Sequence, residues 1–220
     1  IVGEQWGALY GNSYERDSQG RIVHIMQGGT PVPKIGGKKI LGFGVAPESI
    51  GIGSTFRYKD FNASILVEGK MGGSYYSGTN NWYKVYGLHK DTVPAGGREA
   101  GFTPDGVMED GTVITTSIPH SKIEDYWAQT LNIGEENIYS SDYMRLRQLS
   151  IGYNVPSSML EGSFITNATV SLIGRNLLLL SNSSDNIDPE SSYSAGNAVG
   201  LERAGMPVPR TIGLNINLKF

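Results

Sequence analysis

Apolar and polar residues alternate without a break near residue 220. Ile212, Leu214, Ile216, Leu218 and Phe220 share one parity, while Gly213, Asn215, Asn217 and Lys219 share the other. A strand sends successive side chains to opposite faces, so 208–220 is predicted to be a strand with one apolar and one polar face. The same period runs through 143–155, where Leu149, Ile151, Tyr153 and Val155 fall on one parity. Met144 and Leu146 fall on the other, which predicts a bulge or register change near Arg147-Gln148. A third strand is predicted over 164–180, with Ala168, Val170 and Leu172 on one face before the apolar run 177–180. Upstream, 52–58 and 61–71 read as a hairpin turning at Lys59-Asp60. Ile52, Phe56 and Tyr58 share one parity and Phe61, Ala63, Ile65 and Val67 the other, a switch that a tight turn permits. A sixth strand is predicted over 2–10.

The connections between these strands alternate in length. The long ones are 11–51, 72–141 and 181–206; the short ones are 59–60 and 156–163. Transmembrane barrels join their strands by short periplasmic turns and longer external loops, whereas a soluble sandwich spaces its strands more evenly. An aromatic residue in the last position of a two-faced strand is also a mark of bacterial outer-membrane barrels, whose assembly machinery reads that strand. Ile216, Leu218 and Phe220 would be that assembly signal. An amphipathic edge strand of a soluble sheet has the same alternation and stays open as a reading of this segment. The long connections carry turn signals such as Gln27-Gly28-Gly29, Ala95-Gly96-Gly97 and Glu109-Asp110-Gly111. Segment 73–141 also holds Trp82, Trp127 and the tyrosines 75, 76, 83, 86, 126 and 139. So many rings in a loop of that length indicate a folded surface lobe.

Composition agrees with a two-faced β-protein. Apolar residues make up 39% of the 220, glycine numbers 30, and tyrosine at 12 outnumbers phenylalanine at 6. A barrel wall has modest average hydropathy because only alternate residues meet lipid. No run reaches the roughly 18 apolar residues that a transmembrane helix needs. The absence of cysteine removes disulfides, thiolate nucleophiles and Cys-ligated metals. A net charge of -3 without a basic stripe gives no support to nucleic-acid binding. The sequence starts Ile1-Val2-Gly3, without Met or a signal peptide, which suggests a mature form, a fragment or a processed piece.

Candidate chemistry is sparse. His24, His89 and His120 are far apart and fall in predicted loops, where a solvated histidine is the default. Gly51-Ile52-Gly53 lacks the third glycine and the helix of a phosphate-cradling loop. The acidic pairs Glu135-Glu136 and Glu109-Asp110 read as exposed loop charge rather than an acid/base pair. Asp185, Asp188 and Glu190 could hold Ca²⁺, but their spacing fits no EF-hand, so a turn closed by Asp188-Pro189 is expected instead. No metal and no cofactor is expected. Three sequons, at Asn62, Asn167 and Asn182, would be accidental in a bacterial protein. Aromatic side chains offer apolar faces and polar tips suited to sugar or peptide ligands, which makes Trp82, Tyr83 and Trp127 the candidate substrate-binding residues. Packing within the lobe's own small core is the competing role for each. Arg145 and Arg147 are expected near the outer end of their strand, facing a polar lumen, and pairing with carboxylates there.

Several motifs resemble one family. Tyr143-Met144-Arg145-Leu146-Arg147-Gln148-Leu149-Ser150-Ile151-Gly152-Tyr153-Asn154-Val155-Pro156 resembles the Tyr-x-Arg-Leu…Leu-Gly-Tyr…Pro signature of the SusC/RagA family, TonB-dependent outer-membrane transporters of Bacteroidetes. Ser171-Leu172-Ile173-Gly174-Arg175-Asn176-Leu177, Asp188-Pro189-Glu190, and Pro207-Val208-Pro209-Arg210-Thr211 with Gly213-Leu214 and the final Phe220 are similar to its later strands and loop. Phe56-Arg57-Tyr58-Lys59-Asp60-Phe61 is similar to its Phe-x-Tyr-Lys-Asn/Asp-Phe hairpin. The likeness is close over 140–220, loose over 1–72, and absent from 73–139.

The resemblance implies about six C-terminal strands of a 22-stranded antiparallel barrel, with 73–141 as a large extracellular loop. The plug domain and the segment that contacts TonB lie outside the chain. Six strands cannot close such a barrel and an open edge cannot face lipid, so the chain is expected to be a fragment, or one piece of a nicked transporter. Localisation would be the bacterial outer membrane. The implied partners are the rest of the transporter, a SusD-like surface lipoprotein, TonB acting through the plug, membrane lipid, and a glycan or peptide substrate. The implied role is import, with no bond-making step. Two rivals stay open: a soluble secreted β-domain that holds carbohydrate through loop aromatics, and a β-rich enzyme with a carboxylate pair in 73–139.

Overall fold

The computed structural model describes residues 2–184, 186–192 and 196–220. In chain order its strands and α-helices are β1 (Ala8–Tyr14), β2 (Val23–Gln27), β3 (Thr30–Pro33), β4 (Ile35–Phe43), β5 (Glu48–Tyr58), β6 (Phe61–Met71), β7 (Ser74–Ser77), α1 (Gly78–Val85), β8 (Val107–Met108), α2 (Ile123–Thr130), β9 (Ile138–Ser140), β10 (Tyr143–Asn154), β11 (Asn167–Asn182), β12 (Leu201–Glu202) and β13 (Thr211–Lys219). They divide into two compact units. One comprises Ile1–Val45, Ser74–Tyr139 and Ser192–Gly205; the other comprises Ala46–Gly73, Ser140–Ser191 and Met206–Phe220.

The second unit is an antiparallel sheet in the order β13-β11-β10-β6-β5. Its register joins the sequence alternations into two continuous faces. Ile216, Val170, Tyr153, Phe61 and Tyr58 lie in one row across all five strands, and Leu214, Leu172, Ile151, Ala63 and Phe56 in another. The opposite face carries rows such as Asn215, Ser171, Gly152, Asn62 and Arg57. A Cβ on Gly152 would come within 2.5 Å of the Asn62 side chain, so the glycine makes room for that amide. The hairpin turns at Lys59-Asp60 as expected, with Lys59 in the left-handed region at φ 52°.

The predicted irregularity in β10 is present. Leu146 pairs with Val67 and Gln148 with Leu66, which leaves Arg147 as an extra residue. The bulge reverses parity, so Leu146 joins Leu149 and Ile151 on the apolar face while Arg145 joins the polar one. The apolar face is open. Ile52, Phe56, Ile151, Leu172, Leu178, Leu214 and Ile216 are all exposed. A continuous apolar surface of this kind calls for a nonpolar environment rather than water. Aromatic rings collect at the end of the sheet bearing the short turns, where Phe61 packs on Tyr153 at 4.9 Å and Phe164 stacks on Phe220 at 5.5 Å. Rings with this arrangement suit a membrane–water boundary.

The other unit departs from the sequence expectation. The strand expected over 2–10 forms at Ala8–Tyr14 and pairs with β4, not with the five-stranded sheet. Connection 11–51 holds β2, β3 and β4, which Thr-Pro-Val-Pro and Ile-Gly-Gly-Lys-Lys encode with little periodicity. Connection 72–141 carries both α-helices and three short strands. The Ser77 hydroxyl caps α1 by accepting the Asn80 N–H at 3.0 Å, and Glu124 and Asp125 complement the first turn of α2. Tyr75, Ile118, Ile133, Val32 and Val107 form the core of this unit. The lobe inferred from the rings is folded, but residues 1–45 and 192–205 are part of it.

The register makes a specific prediction. Leu172→Lys places an ammonium in the middle of the apolar face and should destabilise the assembled barrel by about 2–4 kcal/mol, while Ser171→Lys on the opposite face should cost much less. Unfolding of the complete protein in lipid vesicles measures both; equal effects would contradict the assignment of faces.

Candidate functional site

Two side-chain clusters stand out, one in each unit. On the polar face of the sheet, Tyr143, Arg145 and Arg147 project from one end of β10. Arg145 is buried, and its Nη2 donates to both Asp188 oxygens at 2.7 and 2.8 Å. Its Nε lies 3.0 Å from Glu190 Oε2, an ion pair whose angle falls outside hydrogen-bond geometry. Arg147 donates from Nε to Glu68 at 2.7 Å, from Nη1 to Asn176 at 2.7 Å, and from Nη2 to Glu190 at 2.8 Å. The Tyr143 hydroxyl donates to Glu190 at 3.0 Å. Asp188 also accepts the backbone N–H groups of Glu190 and Val208 at 3.0 and 3.2 Å.

The two arginines thus pin the Asp188-Pro189-Glu190 turn to the sheet, and the carboxylate pairing expected for them is present. Removing one partner from such a buried network leaves an uncompensated charge, so the cluster reads as structural. Asp185, the third residue of the calcium alternative, lies outside the described residues. Among the described residues no group of three or more His, Asp or Glu is arranged to hold a metal.

The second cluster surrounds α1. Its outer face presents Trp82 and Tyr83, 47% and 41% exposed, and Trp82 stacks on Tyr86 at 5.7 Å. Its inner face carries Lys84, 2% exposed, whose ammonium bonds the Glu136 carboxylate and lies 5.7 Å from the Trp127 ring. Burial alone would lower the Lys84 pKa, but adjacent Glu136 outweighs it and raises the value above its ordinary one. Glu136 also accepts the Tyr14 hydroxyl, and Glu135 pairs with Arg16 at 2.8 Å and Lys39 at 3.0 Å. Burial would raise the Glu135 pKa; its bonds to Arg16 and Lys39 prevail and lower it. This acidic pair therefore clamps α1 and β1, correcting the expectation of exposed loop charge.

The structure separates the candidate binding residues. Trp82 and Tyr83 are open to contact, whereas Trp127 is 8% exposed and packs against Phe102 and Tyr126. Tyr86, which sequence reasoning did not select, is 67% exposed and shares a cleft of about 410 Å³ with Trp127, Arg98, His120 and Glu124. The helical spacing of Trp82 and Tyr86 is the signal that could have found it. Two histidines also contradict the solvated default. His24 on β2 is fully buried beside Tyr126, and His89 is buried with its Nδ1 accepting the Asp91 N–H at 3.2 Å. His120 is exposed as expected.

No protein-family model matches the chain. The RagAB peptide importer in its open-open state superposes with a TM-score of 0.63 over 97% of this chain and 22% of that one, at 17% identity. Its closed-closed state gives 0.59 over 97% and 23%, also at 17% identity. At that identity the likeness speaks for the fold, and the five-stranded sheet is a segment of barrel wall. In sequence, TonB-dependent receptor P3 of Formosa agariphila is 26% identical over 190 residues, covering 83% of this chain. TonB-dependent receptor P26 of the same organism is 28% identical over 193 residues, covering 82%.

In sequence the chain is similar to TonB-dependent receptors. It spans 17% and 18% of the length of those two curated receptors. Both of those relatives are named as receptors rather than as enzymes. In this receptor-like chain the motif around Arg145 and the Asp188-Pro189-Glu190 turn, distant in sequence, are two halves of one clasp.

Two outcomes follow from these geometries. Arg145→Ala should cost about 3–5 kcal/mol by leaving the Asp188 carboxylate without its cation, and should make 186–192 susceptible to protease; limited proteolysis of the complete protein checks it. Burial holds His24 below its ordinary value near 6.5. A histidine depressed in the folded state is protonated first in the unfolded chain. Its stability contribution is therefore whole above about pH 6.5 and lost as pH falls below it. Protection factors of β2 and α2, with the intrinsic pH dependence of amide exchange divided out, should fall between about pH 7.5 and 5.5, and His24→Gln should flatten that dependence.

Proposed function

We propose that this chain is a stretch of wall from a TonB-dependent importer of the bacterial outer membrane. The carrying observation is the five-stranded antiparallel sheet, with one face continuously apolar and the other polar and ionically clasped. Such a sheet fits lipid on one side and a lumen on the other. In this reading 1–220 is the C-terminal portion of the barrel, and 73–141 is a large extracellular loop. Ile216, Leu218 and Phe220, on the apolar face of β13, act as the assembly signal. The plug that TonB pulls lies in other residues. A SusD-like lipoprotein at the cell surface delivers glycans or peptides, and the exposed rings of α1, Trp82 and Tyr83, meet them; Trp127 backs that surface.

The test is carried out on the complete polypeptide in its host. It should fractionate with the outer membrane, run faster on gels before boiling than after, and lose several-fold in assembled level on Phe220→Ala. Recovery as a detergent-free soluble protein would overturn the barrel reading and favour the secreted carbohydrate-binding module. Normal assembly of Phe220→Ala would remove the assembly role alone.

A further inference from the structure

We infer that the polar face of β5 is a seat for the plug: a carboxylate-bearing plug segment packs along it, over Gly51 and Gly53 and onto Arg57. This seat rests on the import reading and deepens it, because it gives the plug a position and a chemistry. The polar-face residues of β5 are Ser49, Gly51, Gly53, Thr55 and Arg57, which pair with Lys70, Glu68, Leu66, Ser64 and Asn62 of β6. The two glycines stand inside an 11-residue strand, and neither has a positive φ. A Cβ on Gly51 would meet nothing within 4 Å, and one on Gly53 would touch only Leu66 and the Ile65 carbonyl, at 3.7 and 3.8 Å. Nothing within this chain therefore excludes a side chain at either position. Glycine weakens a strand interior and marks places where another backbone approaches closely. Two of them on one face, with Ile50 and Ile52 on the other, open a furrow on the polar side alone.

Arg57 ends that furrow. It is exposed, and its guanidinium has no carboxylate partner among the described residues. From the clasp down to the short turns, the polar face carries Arg57, Arg175 and Lys219 and no acidic side chain. The clasp cannot neutralise them, since Glu68, Asp188 and Glu190 are already paired with Arg145 and Arg147. Three cations on one wall of an enclosed lumen call for negative charge on whatever fills it.

The lumen of a 22-stranded transporter is plugged. Cargo is the rival occupant, and two observations favour the plug. Arg57 stands beside the short turn at 59–60, at the end of the sheet away from the long connections. Cargo also passes and leaves, whereas a backbone seated on bare glycine needs one fixed register. At about 3.3 Å per residue, a carboxylate on Arg57 lies about 13 Å along β5 from the contact over Gly53, so one extended stretch of roughly five residues makes both.

The complete polypeptide, plug included, is reconstituted in planar lipid bilayers, and urea is raised until the pore conducts. Wild type should stay closed without urea. Gly53→Trp and Arg57→Glu should each open at about half the wild-type urea concentration. Ser54→Trp, on the apolar face of the same strand, should match wild type. Raising KCl from about 0.1 M to about 1 M shortens the Debye length from about 10 Å to about 3 Å. It should lower the wild-type threshold and leave that of Arg57→Glu unmoved. Wild-type thresholds in both variants overturn the seat. Loss of uptake with the plug held as firmly as in wild type also overturns it and hands this face to the cargo. If Gly53→Trp blocks assembly, Arg57→Gln and the salt series decide alone. In each of these outcomes a membrane-embedded, heat-modifiable protein keeps the import reading standing, whereas a soluble protein sinks that reading first and the seat with it.

Discussion

Arg147 occupies an extra position in β10, and the two-faced character of the sheet depends on that insertion. Without it the alternation of Met144 and Leu146 would run out of phase with that of Leu149 and Ile151, and half of the strand would turn apolar side chains toward the lumen side. The insertion keeps both halves on one apolar face. Arg145 and Arg147, two residues apart, both reach carboxylates from the polar face. Asn176, at a left-handed φ of 52°, accommodates the irregularity on β11 and accepts one of the Arg147 bonds.

The unit that holds α1 and α2 solves a different problem. Its strands are short and its core is small, so it relies on polar clamps. Lys84 ties α1 to Glu136, Glu135 ties Arg16 and Lys39 together, and buried Glu202 accepts the hydroxyls of Ser77 and Thr79 at the start of α1. These bonds join segments far apart in sequence. They fix the inner face of α1 and leave its outer aromatic face unengaged.

The sheet was legible because strand parity is a local signal, and the bulge was legible because parity reverses there. β1 to β4 were not, since glycine and proline dilute the period and their pairing partners are non-local. The arginines could be assigned to carboxylates in kind but not by name, because Asp188 and Glu190 become neighbours only once β10 and β11 pair. Glu135-Glu136 looked like solvated charge for the same reason: their counterions Lys84, Arg16 and Lys39 come from three other segments. Trp127, a candidate binding residue, is turned inward by α2, whereas Tyr86, which had no assigned role, is exposed at the end of α1. The two helices left faint traces, a Ser77 cap and Ile123 with Trp127 at helical spacing.

One contact bears on how the sheet assembles. β5 and β6 pair across a two-residue turn, but β6 and β10 pair residues such as Lys70 and Tyr143 across the whole of 72–141. Closing a flexible loop of that length costs on the order of 4 kcal/mol in chain entropy. Tyr75 and Tyr139 stack at 5.7 Å, and β7 and β9 lie in one small sheet, so folding of the lobe draws the two ends of that loop together. The search for the β10 partner is then shortened before the strands meet, and the slowest pairing in the wall becomes conditional on a lobe that is not part of the wall.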